Sequence, residues 1–237
     1  MTTAQEIRDS INAALGKDAI QMGSDPRYEV TRIPTGVLPI DVLLDGGLAR
    51  GRFTEFFGAF STLKSYIALM AIAQCQQDGG TAVLIDTEHS YDPHWAESLG
   101  VSVGDLIVDR PSTGEEAVDK MQVAIASAAD LVVWDSVAAT QPRDESTVQL
   151  SGDKKIQPAR LAALMSTALR RLNTTNNNTA VLCINQTRSK VGVIFGSPET
   201  TPGGNALPFY ASTRVRFAKA GRVTETRQMW DGDKNAT

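Results

Sequence analysis

Apolar residues fall in short continuous runs along most of this chain, separated by longer stretches in which they recur every three or four positions. Runs at residues 53–57, 81–86, 106–109, 131–135, 179–185 and 213–218 predict strands; the patterns at 64–78, 93–99, 114–128 and 158–173 predict helices. Strands that are apolar throughout are buried on both faces, so this alternation predicts an α/β fold with a mostly parallel central sheet and helices on both sides. Ligands of such sheets bind beyond the carboxyl ends of the strands. Those ends carry residues 58–65, then Asp86-Thr87-Glu88-His89, Asp135-Ser136 and Asn185-Gln186. The connections at 137–157 and 187–204 are too long and polar for simple turns, and loops of that length are usually functional or disordered.

Before the first strand, Thr3 and Glu6 form a capping box, Ile7, Ile11 and Leu15 share one face, and Gly16 closes the segment. A short amphipathic helix is predicted. A polar link follows, which divides the chain into an arm at residues 1–27 and a core domain at 28–237. The arm's apolar stripe can dock on another surface or fold back on its own core, and the sequence leaves both open.

Composition narrows the partners and the compartment. A net charge of -4 over 237 residues gives no global footprint for nucleic acid, so any such site has to be a local basic patch. Cys75 and Cys183 stand alone in apolar segments, without the C-x-x-C spacing of a metal or redox site, and read as buried reduced thiols. No apolar run approaches the ~18 residues of a membrane helix. The N-terminus lacks a basic-then-apolar signal layout. A cytoplasmic protein is expected, with no membrane partner.

The candidate chemistry begins at Gly58-Ala59-Phe60-Ser61-Thr62-Leu63-Lys64-Ser65, where an apolar strand turns into a helix that opens with Lys-Ser. This is close to G-x-x-x-x-G-K-[ST], in which backbone N–H groups wrap phosphates, the Lys reaches the terminal phosphates and the hydroxyl holds Mg2+. Leu63 stands where the second Gly belongs, and its Cβ opposes both a left-handed backbone and close approach of a phosphate. Downstream, the apolar run ending in Asp135 has the form that holds Mg2+ beside such a loop, although a strand-end Asp also serves simply to cap the next element. Glu88 is placed to orient a water, or is a solvated loop carboxylate. His89 and His94 lack a third clear N or S ligand, which argues against zinc. Residues 187–198 carry Arg188 and Lys190 with no acidic neighbour, several glycines, and Val193-Ile194-Phe195. Basic groups neutralise phosphates and an apolar ring stacks on bases, so this is a candidate single-stranded nucleic-acid loop; taken alone, the segment reads slightly better as a mobile surface loop with its apolar tip packed down.

Three stretches are more specific: Asp86-Thr87-Glu88-His89-Ser90-Tyr91-Asp92-Pro93, Trp134-Asp135-Ser136-Val137-Ala138-Ala139, and Ile184-Asn185-Gln186-Thr187-Arg188-Ser189-Lys190 running on to Phe195-Gly196. Together with Gly203-Gly204-Asn205-Ala206-Leu207-Pro208-Phe209-Tyr210, and in this order, they resemble the RecA family of recombination ATPases from about residue 7 to residue 220. The resemblance implies a RecA-like phosphate-loop fold, with ATP and Mg2+ (Mn2+ as an alternative) as cofactors. It implies Glu88 as the catalytic glutamate, Lys64, Ser65 and Asp135 as nucleotide and Mg2+ residues, and Gln186 as the sensor of the terminal phosphate. It also implies that Trp95 stacks on adenine beside Asp92. The loops at 137–157 and 187–204, the latter with Gly203 and Gly204, correspond to the family's two DNA-binding loops. The arm acquires a purpose in self-association on DNA.

The chain departs from the family at Leu63, in the first DNA loop at residues 143–150, and at its end. Thr237 falls before the strand that supplies the family's trans-acting lysine pair and before its C-terminal domain. The expectation is therefore a short, divergent, phage-like relative in a bacterial cell or phage-infected host, which binds single-stranded DNA and hydrolyses ATP weakly. Two other classes stay open on the residues. Asp86, Glu88, Asp92 and Asp135 could cluster around divalent ions as a DNA nuclease of the exonuclease kind; or the chain is a non-enzymatic accessory or filament partner.

Overall fold

The structure is a computed structural model that describes residues 2–146, 158–176, 178–189 and 199–221. In chain order the elements are α1 (Ala4–Leu15), β1 (Arg32–Ile33), α2 (Leu38–Leu43), β2 (Leu48–Ala49), β3 (Phe53–Gly58), α3 (Lys64–Gln77), β4 (Ala82–Asp86), α4 (Pro93–Ser98) and β5 (Ile107–Asp109). There follow α5 (Gly114–Ala126), β6 (Leu131–Asp135), α6 (Arg143–Ser146), α7 (Pro158–Thr175), β7 (Ala180–Gln186), β8 (Arg188–Ser189), β9 (Glu199–Thr200), α8 (Ala206–Tyr210) and β10 (Ala211–Phe217).

Six strands form one sheet in the order β10-β3-β7-β6-β4-β5, and every neighbouring pair is parallel. Each strand feeds alternate residues to opposite faces. Leu131, Val133, Leu182 and Ile184 meet α3 through Ile67, Leu69 and Ile72; Val132, Trp134, Val181 and Cys183 meet α5 and α7 through Met121, Met165, Leu169 and Leu172. Helices on both faces are what the continuous apolar runs predict. Cys75 and Cys183 are buried and free, as expected. No helix among the described residues is long and apolar enough to cross a membrane.

The predicted strands and long helices are present, with no end shifted by more than two residues. The antiparallel β1–β2 ribbon and α2, which precede the sheet, carry no clear periodicity and were not predicted. The two long connections contain short elements: α6 in the first, and an antiparallel β8–β9 ribbon that frames the second. Thr3 and Glu6 make the capping box of α1, whose residues are not buried.

Two contacts fix where the strands end. Gly58 closes β3, and a Cβ there would lie 2.1 Å from the Phe217 carbonyl oxygen, so only glycine lets β10 come this close. Within the sheet, Glu55 of β3 has no solvent exposure and accepts hydrogen bonds from Arg214 of β10 (2.5 Å) and Asn185 of β7 (3.0 Å). Asn185 also donates to the Pro202 carbonyl at 3.2 Å, and the Arg214 guanidinium lies 4.6 Å from the centre of the Phe57 ring. Removing one partner of a buried pair leaves the other uncompensated. Arg214→Met is expected to cost about 2–3 kcal/mol, below the fully buried range because Arg214 is part-exposed, with recovery on adding Glu55→Gln. Urea denaturation of the wild type, the single and the double variant checks this.

Candidate nucleotide site

Residues 59–63 connect β3 to α3 at the carboxyl end of the sheet. Ser61 (φ 55°) and Leu63 (φ 67°, ψ 14°) both occupy the left-handed region, which non-glycine residues rarely enter. Leu63 therefore keeps the backbone conformation a glycine would take, against the expectation that its Cβ would resist it. The side chain escapes by pointing outward, 65% exposed. As N-cap of α3 it offers no side-chain acceptor, so the first-turn N–H groups of the helix are left without a side-chain cap.

Lys64 is buried, with its ammonium turned back onto the loop: Nζ donates to the carbonyls of Ala59 (2.9 Å) and Gly58 (3.3 Å) and to Thr62 Oγ1 (3.2 Å). Burial lowers its pKa, opposed by the negative charges of Asp135 and Glu88. Across the loop, Asp135 lies beside Ser65 in the same cavity, and its Oδ1 is buried with no hydrogen-bond partner among the described residues. Burial, with Glu88 and Asp86 nearby, pushes the Asp135 pKa up to about 6 although Ser65 and Lys64 pull it down. An orphaned carboxylate oxygen beside a hydroxyl is a hard-oxygen donor set of the kind Mg2+ takes, so these residues fit the ion.

Glu88, just past the end of β4, is fixed through one oxygen. Its Oε1 accepts from Ser136 Oγ (2.5 Å) and from Gln186 Nε2 (2.6 Å). Trp95, 42% exposed on α4, joins Lys64, Ser65, Glu88, Asp135 and Gln186 around one cavity of about 250 Å³, which Phe60, Ser61, Thr62 and Leu63 also line. A larger cleft of about 630 Å³ lies over β10 between Phe57, Arg214 and Arg216, and contains none of these groups.

The carboxylate cluster required for a metal-dependent nuclease is not formed. Asp86 is buried and fully engaged, accepting from the Ser90 and Tyr91 N–H groups (3.1 and 3.0 Å) and from Arg110 Nε (3.1 Å). Asp92 caps α4, accepting from the N–H groups of His94 and Trp95. Among the described residues no three His, Cys, Asp or Glu side chains are grouped so as to hold a metal ion.

On the side of the candidate DNA loop, Arg188 is exposed on β8, directly after Gln186-Thr187. Gly203 and Gly204 (φ 91° and 72°) form a turn packed against Met165 and Ala162 of α7, so close packing and positive φ account for these glycines. Lys190 and Phe195 lie outside the described residues. Arg216 clamps Glu199 with two hydrogen bonds of 2.8 Å, tying the return of the loop to β10. Sequence reasoning missed Glu55, Arg214 and Ser136, whose roles depend on partners 48 to 159 positions away.

A wholly parallel, doubly covered sheet whose first central strand runs through a small-residue turn into Lys64-Ser65, with a strand-end carboxylate opposite, defines a phosphate-loop protein of the α/β class. The chain belongs to the RecA family: the family model for the RecA N-terminal domain matches residues 3–236. It is 45% identical to Protein RecA of Thermus aquaticus over 218 residues, covering 90% of this chain and 63% of the relative. To Protein RecA of Thioalkalivibrio sulfidiphilus it is 44% identical over 229 residues, covering 91% and 66%. The chain thus spans less than two thirds of the length of these relatives.

Two measurements probe the site without any ligand. A leucine in the left-handed region costs about 1–2 kcal/mol, whereas glycine adds about 0.5–1 kcal/mol of unfolded-chain entropy. Leu63→Gly is therefore expected to stabilise the fold by roughly 0.5–1 kcal/mol in urea titration, the opposite of a usual glycine substitution. Asp135 binds its proton more tightly in the folded state, so between its unfolded pKa near 4 and its folded value of about 6 stability falls as pH rises. The loss without divalent ions should reach about 2–3 kcal/mol, and Asp135→Asn should abolish it in thermal melts across that range.

Proposed function

We propose that this chain is an ATP- and DNA-binding protein of homologous recombination and repair, which binds single-stranded DNA and hydrolyses ATP weakly with Mg2+. The observation that carries this reading is the buried Asp135 carboxylate, one oxygen of which has no partner, in the cavity it lines with Ser65, Lys64 and Glu88. Uncapped first-turn N–H groups of α3 suit phosphate oxygens. Lys64 exchanges the Ala59 and Gly58 carbonyls for terminal phosphate oxygens. Ser65 and Asp135 would hold the divalent ion, which would neutralise charge on the transferring phosphoryl group. Glu88 takes a proton from the attacking water and holds that water in line. Gln186, hydrogen-bonded to Glu88 and two residues before Arg188, links the phosphate end of the site to the DNA loop; Trp95, beside Asp92, offers its ring to adenine.

Arg188, with Lys190, Phe195, Gly203 and Gly204, forms the DNA contact in this reading. Residues 1–27 act as an arm on the core at 28–237 and associate with a second copy through the Ile7, Ile11 and Leu15 stripe of α1. The setting is the cytoplasm. A non-enzymatic filament partner is the second reading, favoured by the bulky Leu63 at the loop and by Lys64 being engaged by its own loop.

Glu88→Gln keeps the shape of the side chain but cannot accept the proton. Phosphate release should fall by about 10²-fold or more, while ATP-dependent binding of a labelled single-stranded oligonucleotide persists. Undiminished release in Glu88→Gln would remove Glu88 from this role; absence of release in the wild type would favour the non-enzymatic reading.

A further inference from the structure

Ser136 follows Asp135 at the end of β6 and has no solvent exposure. Its hydroxyl donates to Glu88 Oε1 at 2.5 Å, and Gln186 Nε2 donates to the same oxygen at 2.6 Å. Two donors on one oxygen orient the whole carboxylate. Oε2 receives no hydrogen bond from the described residues and is the oxygen left to accept a proton from water. The two donors are unequal. Gln186 is part-exposed at the mouth of the cavity, on a chain that continues directly into the DNA loop. Ser136 is strapped in place: its carbonyl accepts from Thr87 Oγ1 (2.6 Å) and Thr140 Oγ1 (3.1 Å), and Thr140 is itself held by the Trp134 indole N–H (3.0 Å). The backbone N–H groups of Thr87 and Glu88 add hydrogen bonds to the Asp135 carbonyl (2.7 and 3.3 Å).

We infer that Ser136 is a positioning residue for the general base: its buried hydroxyl holds Glu88 Oε1 so that Oε2 faces the attacking water, and keeps it there when the Gln186 amide turns toward a terminal phosphate. This rests on the ATPase reading above. A glutamate exposed on a loop otherwise spreads over several rotamers, and misplacement of a catalytic group by about 1 Å costs up to about 10²-fold in rate. The hydroxyl does not reach the substrate. Its loss should therefore appear in kcat and leave ATP binding alone.

The experiment compares steady-state ATP hydrolysis of the full chain, with Mg2+ and oligo(dT), for the wild type, Ser136→Ala and Ser136→Cys, each with a thermal melt. Ser136→Ala should lower kcat by about 10- to 100-fold, with KM for ATP within about two-fold of wild type and an intact cooperative melt. Ser136→Cys, a similar size with a weaker donor, should fall between the two. An unchanged kcat in Ser136→Ala, or a loss confined to KM, overturns the inference while leaving the ATPase reading standing. No phosphate release from the wild type removes both. If Ser136→Ala fails to melt cooperatively, Ser136→Cys alone decides: a lower kcat with unchanged KM supports the inference, and a wild-type kcat overturns it.

Discussion

A carboxylate without solvent contact in the middle of a parallel sheet has to be matched on both oxygens, and the way Glu55 is matched sets the geometry of this molecule. Arg214 takes one oxygen and Asn185 the other, so β3, β7 and β10 are joined through side chains as well as through the backbone ladder. Asn185 reaches further, to the Pro202 carbonyl, and so anchors the chain that returns from the long connection after β7. The strand that leads into the phosphate loop and the strand that leads into the candidate DNA loop are thereby tied to one charged centre. Low dielectric around Glu55 makes each of these hydrogen bonds costly to lose.

Above that centre, the carboxyl ends of β3, β4, β6 and β7 bring together groups that repel or starve one another when nothing is bound. Lys64 satisfies its ammonium on its own loop, Asp135 is left with an empty oxygen, and Glu88 borrows donors from β6 and β7. In the proposed function, a phosphate with its metal ion would pair the charges of Lys64 and Asp135 together.

The legible part of the fold is the part governed by local pattern. Apolar runs such as 131–135 and 179–185 are buried on both faces and carry a signal that nothing overrides, and the boundary errors are of the order of a residue or two. The β1–β2 ribbon and α2 are too short for a period, and their exposed Leu38, Val42 and Leu43 disguise them further. In the site, Lys64, Ser65, Glu88 and Asp135 were legible because each sits at a strand end or in a recognisable loop. Asp86 looked the same from the sequence. What separates it from Asp135 is Arg110, 24 residues away, together with two N–H groups of its own loop, and no local signal records that pairing. Ser136 was hidden in a different way: it stands in a recognised stretch, but nothing local gives its hydroxyl a role until Glu88 is folded over it.

The N-terminal helix has one property that bears on how it meets anything. α1 buries no residue of its own, yet both ends are tied off: Thr3 and Glu6 cap the start, and the Asn12 side chain both donates to and accepts from the Ile20 backbone, closing the chain beyond Gly16. The arm is thus a finished piece of secondary structure with its apolar stripe facing outward. A surface that receives Ile7 and Leu15 meets a preformed helix and orders only side chains, whereas a disordered tail would have to fold in the act of binding. If the arm docks as proposed, the contact would be governed by encounter and by apolar fit, and could be made and undone repeatedly without refolding the segment each time.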